Sequence, residues 1–493
     1  MKFSTYQKDK RDILGKLARI AYESGKLIGH DALEKLSEEE NPEELLKELI
    51  EETSEEIILL ETVEKFLESK HPPATTGKRV EEIPAKEYDA EIEIIKDPSR
   101  EGYGNLDADN YVEYYRSRLR KIRTIFARRG INITARTDTL ARLSDRRDVS
   151  IIGVVLSVKE TRTGGYIVEI SDEEGTATLL FKNNRLSGNR CPYVLPGYVI
   201  MVHGVKAGDM VIVNECLLPD IIQYERRTIP YPLSIAFTSD FHIGSKYTLQ
   251  DAIERFLRTL NLDCRAKIRM QMARVKYLLV AGDLVDGIGV YPGQEKNLII
   301  KDVAKQYEEF AKIIEKVPDY IEVIIIPGNH DATFDPLPQP PILKEYSDIL
   351  LERRKIVMLG NPSVISLHGI KVLMYHGQSF DSLVTLNPNL TYEGVDKILV
   401  EIARIRHLAP DHTQTPVQPL PEDTLVIEEA PHIIHTGHLH KFAITSYKGV
   451  FMLNSSAWQR QTDYQARMGL KPDPCKVPIF EMDNWRFNVL SFM

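Results

Sequence analysis

The sequence predicts a multidomain chain: a small α-helical N-terminal module, a small five-stranded β-barrel, and a layered α/β domain. Three observations carry this. Apolar residues recur at three-to-four spacing within residues 1–70, short β-type runs separated by turn residues follow within 148–228, and from residue 229 buried-type apolar runs alternate with helical stretches. A chain of 493 residues is long enough for two to four cores, and its 43% hydrophobic and 27% charged residues exclude a fibrous or peptide-sized protein.

In the N-terminal module, expected as a helical interaction domain, Ile13, Leu14, Leu17 and Ile20, then Leu45, Leu46, Leu49 and Ile50, mark one face of each helix. Between Asp31 and Lys70 there are 15 acidic residues against four lysines. A solvated helix face accounts for them better than a docking surface for a basic partner. Over 71–110 the periodicity stops among Pro72, Pro73, Pro84 and Pro98, which reads as a flexible linker. Residues 111–147 form a basic helical segment, with 11 Lys or Arg against Glu113, Asp138 and Asp145. Tyr111, Tyr114, Tyr115, Leu119, Ile122 and Phe126 lie near helical spacing, so a helix packing one face is the first reading. Phosphate contact by Arg116, Arg118 and Arg120 is the second. The net charge of −9 argues against adhesion of the whole chain to nucleic acid but leaves such local patches open.

From 148 to 228 the runs VSIIGVVLSV, GYIVEIS, TATLLF, YVIMVHGVK and MVIVNECLL are separated by TGG, DEEG and AGD turns, which fits a five-stranded barrel of the OB type. Tyr166 and Phe181 are few for a surface that stacks bases and fit a core equally well, so the barrel reads as a packing module before a nucleic-acid grip. Cys191, Cys216, Cys264 and Cys475 lack CxxC pairing, which leaves them as reduced packing residues. The N-terminus has no signal-peptide core and no apolar run reaches membrane-spanning length, so a cytoplasmic protein is expected.

Residues 229–493 hold ten of the 13 histidines, four of them within 432–440. The chemistry-bearing residues stand just past the ends of apolar runs. Asp240 and His242 follow IAFTS; Asp283 and Asp286 sit in GDLVDG; Asn329, His330 and Asp331 sit in GNHD; His376 follows KVLMY; His438 and His440 form GHLH. Such positions converge at strand C-termini in α/β sheets. Gly282, Gly328, Gly377 and Gly437 accompany the turns, where a missing Cβ lets neighbours crowd a common centre. Carboxylate, amide and imidazole donors together suit Mn, Fe, Zn or Co better than Mg or Ca, and a two-metal site needs a bridging carboxylate, for which Asp283 is the candidate. A single histidine at a strand end is more often a satisfied core residue than a ligand. Five such ends at spacings of one α/β unit are not explained that way.

In these residues the chain resembles the calcineurin-like metallophosphoesterases, whose blocks D-x-H, GD-x-x-D, GNH-D/E, a lone His and GH-x-H appear in order as DFH, GDLVD, GNHD, YHG and GHLH. The resemblance implies an α/β domain built as a layered β-sandwich with flanking helices, and two divalent ions, Mn2+ first with Fe, Zn or Co as alternatives. One would be held by Asp240, His242, Asp283 and His440, the other by Asp283, Asn329, His376 and His438. It implies that His330 contacts the scissile phosphate and that Asp331 tunes it. The whole order, with NSSAWQRQTDYQARMGLKPDP after the last block, is similar to the small subunits of archaeal family-D DNA polymerases, relatives of the eukaryotic B-subunits. This implies a large catalytic polymerase subunit as partner in a heterodimer, with its own Mg2+. It further implies a DNA primer-template 3′ end as substrate of a 3′–5′ proofreading exonuclease. The eukaryotic relatives have lost ligands, whereas every ligand position is filled here. A catalytically silent scaffold is the main alternative, against which His330 weighs. A free-standing metallophosphatase or repair nuclease is the other, against which the preceding barrel weighs. The motifs alone do not separate DNA from other phosphate esters, and contact with a sliding clamp or primase stays open.

Overall fold

The computed structural model describes residues 3–37, 41–53, 57–60, 62–63, 66, 82–98, 107–140, 142–182, 193–222 and 229–493, without the side chains of 3–12 and 57. Two compact units divide the chain, Met1–Glu82 and Ile83–Met493.

The first unit packs helices Phe3–Glu23, His30–Ser37 and Pro42–Glu52 with a parallel pair, β1 (Leu27–Ile28) and β2 (Ile57–Ile58). The apolar faces supply its core: Leu17 and Ala21, then Leu33 and Leu36, then Leu46 and Leu49.

In the second unit, part of the segment read as a flexible linker is ordered structure. Pro84–Glu87 is a helical turn, and β3 (Ile92–Lys96) is an edge strand. The period-two alternation of Ile92 and Ile94 with glutamates is a strand signal that the surrounding prolines obscured. Residues 71–81 and 99–106 of the linker reading lie outside the described residues.

The barrel closes in the order β4 (Asp148–Glu160), β5 (Tyr166–Ser171), β6 (Thr176–Phe181), β8 (Met210–Leu217), β7 (Val199–Ala207). Closure is possible because long β4 serves two neighbours: residues 148–154 pair with β7 and 154–160 with β5. Gly153 stands at the changeover, where a Cβ would lie 2.8 Å from the Ser171 carbonyl oxygen. Phe181 is fully buried inside, so it is core and not a base platform.

The helix Ala108–Arg128 lies on the barrel, with Leu119, Ile122, Ile125 and Phe126 packed against Ile152, Val154, Val199 and Met201. The phosphate-contact expectation fails for Arg118. Its guanidinium is 1% exposed, 2.6 Å from Asp423, and also donates to the Gly197 and Pro410 carbonyls at 2.9 Å. Arg120 is paired with Glu113 at 2.6 Å on the surface, and Arg116 is exposed. A three-residue run of alternate arginines cannot present one face on a helix, and burial selected the middle one.

The remaining chain forms two six-stranded sheets face to face. One has the order β12 (Val357–Met358), β11 (Glu322–Ile326), β10 (Val275–Ala281), β9 (Ser234–Thr238), β18 (Lys476–Glu481), β19 (Arg486–Ser491). The other has β16 (Ala443–Tyr447), β17 (Val450–Asn454), β15 (Ile433–Thr436), β14 (Ile370–Met374), β13 (Ser363–Leu367), then β3. Phe237, Leu279 and Ile324 meet Ile365, Val372 and Met374 between the sheets. The alternate residues Leu278, Val280 and Val323 face helices Gln250–Leu260 and Val303–Glu315 through Ile253, Phe256 and Phe310. Strands covered on both faces explain why these runs read as continuously apolar.

Candidate metal centre

The chemistry-bearing residues stand where strands end, three ends from one sheet and two from the other. Asp240 and His242 follow β9, Asp283 follows β10, and Asn329 and His330 follow β11; His376 follows β14, and His438 and His440 follow β15. The turns are tight enough to put five of these residues in left-handed backbone conformation: Asp240 (φ 55°), His242 (48°), Asp283 (54°), His438 (71°) and His440 (53°). Each such residue costs on the order of 1–3 kcal/mol, and strain of this kind gathers at functional sites. The glycines permit the crowding. A Cβ on Gly328 would lie 2.1 Å from Asp283 Oδ1, and one on Gly437 2.6 Å from Asp240 Oδ2.

All seven ligand candidates converge. In one group His242 Nε2 lies 3.0 Å from His440 Nε2, 3.8 Å from Asp240 Oδ1 and 3.7 Å from Asp283 Oδ2, with His440 Nε2 3.4 Å from Asp240 Oδ1. In the other, His376 Nε2 is 3.3 Å from Asp283 Oδ2 and 3.0 Å from Asn329 Oδ1, which is 3.0 Å from His438 Nδ1. The same oxygen of Asp283, Oδ2, faces both groups, which suits this carboxylate to bridge two ions.

Several imidazoles are oriented from behind. His376 Nδ1 meets the Ala281 carbonyl oxygen at 2.8 Å, His242 Nδ1 meets Asp286 Oδ1 at 3.1 Å, and His438 Nε2 meets Asp381 Oδ2 at 2.9 Å. With protons on those nitrogens, the opposite nitrogens turn lone pairs toward the centre, the arrangement that holds a ligating histidine. Gln465 Nε2 lies 3.0 Å from His440 Nδ1. Asp286 sat in a recognised block without a role; Asp381 and Gln465 carried no local signal, because their partners lie 57 and 25 residues away.

The electrostatics call for positive charge. Burial opposes ionisation of Asp240, but His440 and His376 hold its carboxyl at about 2, and Asp283 is likewise held well below the carboxylate range by His376, His330 and His242. Burial disfavours protonation of His242, yet Asp286, Asp283 and Asp240 raise it to about 9; Asp283 and Asp240 do the same for His376. Three buried carboxylates thus draw in cationic partners, a demand that two divalent ions also meet. The residues present fit the two ions implied by the sequence.

His330 lies beside this cluster, its ring 4.6 Å from that of His242. Its Nδ1 meets the Asp286 carbonyl oxygen at 2.8 Å, and burial lowers its pKa, which leaves a neutral ring with Nε2 free for the cleft it lines. Asp331 does not tune that ring through a hydrogen bond. Its carboxylate accepts from Leu284 N, Gly328 N and Tyr307 Oη at 2.9–3.1 Å, which ties the GNHD turn to the neighbouring GDLVD turn. Burial and the charge of Asp283 raise Asp331 to about 7. Arg116, Arg118 and Arg120 are not among the residues lining the cleft.

The family model for the B-subunits of DNA polymerases alpha and epsilon matches residues 235–444, which span most of the two-sheet sandwich and its histidine-aspartate centre. The DNA polymerase II small subunit of Methanothermobacter thermautotrophicus is 36% identical over 477 residues, covering 95% of this chain and 97% of that one. That of Archaeoglobus fulgidus is 36% identical over 432 residues, 86% of each. The chain belongs to the family of archaeal DNA polymerase II small subunits. Among solved structures, one titled a novel archaeal phosphodiesterase covers 52% of the chain at 12% identity with a TM-score of 0.26, too loose to carry an argument. No helix among the described residues is long and apolar enough to cross a membrane.

Proposed function

We propose that this polymerase small subunit is a two-metal 3′–5′ exonuclease that removes mismatched nucleotides from DNA 3′ ends, and that it also holds the large catalytic subunit. The observation that carries the reading is the complete donor set around Asp283 together with His330 beside it in the cleft. A scaffold alone has no use for either. Asp240, His242, Asp283 and His440 would hold one ion, and Asp283, Asn329, His376 and His438 the other, with Mn2+ the best match to mixed oxygen and imidazole donors. Bound there, the ions supply Lewis acidity toward the phosphodiester and lower the pKa of water.

The chain's own residues do the rest. His330 presents Nε2 to the phosphate, whose negative charge raises the ring's proton affinity, so the imidazole takes up a proton and stabilises the leaving oxygen. Asp286 serves twice: its carboxylate orients His242 and its carbonyl orients His330. Asp381 fixes His438 from the opposite side.

The test is hydrolysis of a 3′-mismatched primer-template by the purified chain with Mn2+, with and without the large subunit, and with His330→Ala as control. Release of the mismatched nucleotide, lost in the variant, is expected. No release even with the partner and bound metal would make the chain a silent scaffold.

A further inference from the structure

The segment from Gln459 to Pro472 follows the last ligand block and supplies no ligand, yet it builds one wall of the cleft. It contains the short helix Asp463–Arg467, held by a capping box in which Thr462 Oγ1 accepts from Gln465 N and Gln465 Oε1 accepts from Thr462 N. The same Gln465 side chain reaches His440. One residue thereby fixes the helix to the metal-side histidine, and the residue before it, Tyr464, is carried over the cleft.

Tyr464 is 51% exposed, although a tyrosine of this size usually covers core. Its ring lies 5.8 Å from that of Tyr291 at 32°, and Tyr291 in turn lies 6.4 Å from the His330 ring. Aromatic rings therefore lead from the rim down to the proposed proton donor. Lys441 and Lys471 line the same cleft, whose volume is about 460 Å³, on the scale of a site for one small molecule.

Resting on the exonuclease reading, we infer that Tyr464, backed by Tyr291, is a stacking platform for the base of a single unpaired 3′-terminal nucleotide. Tyr464 is a positioning residue: it holds the base so that the adjoining phosphate reaches His330. A correctly paired terminal base must break its pairing and leave the stack to reach the platform, whereas a mismatched end frays and reaches it at little cost. The platform therefore selects for mispairing by the lower cost of freeing the base, without reading base edges.

The experiment uses the full chain and a mismatched primer-template ending in 2-aminopurine through a phosphorothioate linkage, compared with the same DNA ending in an abasic residue. Binding should change the fluorescence of 2-aminopurine. Tyr464→Ala should weaken binding of the base-bearing end by roughly 5- to 100-fold, and Tyr464→Phe should restore it to within about twofold, because stacking needs the ring and not the hydroxyl. The abasic end should bind the unaltered protein as weakly as the base-bearing end binds Tyr464→Ala. Equal binding of both ends by the unaltered protein overturns the platform, as does an equal loss on both ends in Tyr464→Ala, which would make Tyr464 a backbone or protein contact. Hydrolysis of the ordinary mismatched primer is read separately. Discrimination without cleavage would sink the nuclease reading alone, and cleavage without discrimination the platform alone.

Discussion

Replacing Arg118 by Ala separates a structural arginine from a DNA contact. The guanidinium and Asp423 are both essentially inaccessible, and Asp423 also accepts from His407 Nε2 at 2.9 Å. Removing Arg118 strands a buried carboxylate and two carbonyls, and breaking one side of such a pair costs about 3–5 kcal/mol. Equilibrium urea unfolding followed by tryptophan fluorescence reads the right part of the protein, since its two tryptophans, Trp458 and Trp485, both lie in the second unit. Burial and the nearby charge of Arg118 push His407 down to about 4. An unfolded histidine titrates near 6.5, so from about pH 6.5 to about pH 4 the unfolded state binds more protons and this residue's contribution to stability falls as pH falls. In Arg118→Ala, His407 is free to protonate beside Asp423 and replace the missing cation. The deficit should therefore shrink on going from about pH 7.5 to about pH 5.5. A deficit under about 1 kcal/mol, of surface-pair size, together with a shallower salt dependence of DNA binding, would refute the reasoning.

Further outcomes follow from the centre. Gly328→Ala should place a methyl against Asp283 and abolish both metal binding and hydrolysis while the unit stays folded, checked by metal analysis beside circular dichroism. His330→Ala should keep its metal content and lose hydrolysis, whereas Asp283→Ala should lose both; retained metal in the second would remove its bridging role. Asp381→Asn should weaken metal affinity by about 10–100-fold, the usual cost of disturbing a histidine's supporting partner, and calorimetric titration with Mn2+ would show an unchanged affinity if His438 needs no such support.

The centre was legible in the sequence because its parts are local. Each ligand sits within a few residues of a strand end, and the adjacent glycines announce the crowding at Gly282, Gly328 and Gly437. What escaped depends on distant partners. A basic helix with tyrosines on it does not tell which arginine turns inward; Arg118 does because Asp423, 305 residues away, meets it. The resemblance makes Asp331 the group that tunes His330, yet two backbone amides and the Tyr307 hydroxyl claim its carboxylate. Strand β3 was hidden for a related reason: prolines surround its short isoleucine pattern, and its partner β13 lies far along the chain.

That pairing makes the barrel an insertion. The chain contributes an edge to the second sheet, leaves to build the helix and the barrel, and only then returns to complete the sandwich. During synthesis at about 5–20 residues per second, β3 waits some 15–50 seconds before β13 exists to receive it. Barrel and sandwich are therefore not beads in series. A fragment cut at the boundary between them leaves the sandwich with β13 as a bare edge, an open template for pairing with another chain.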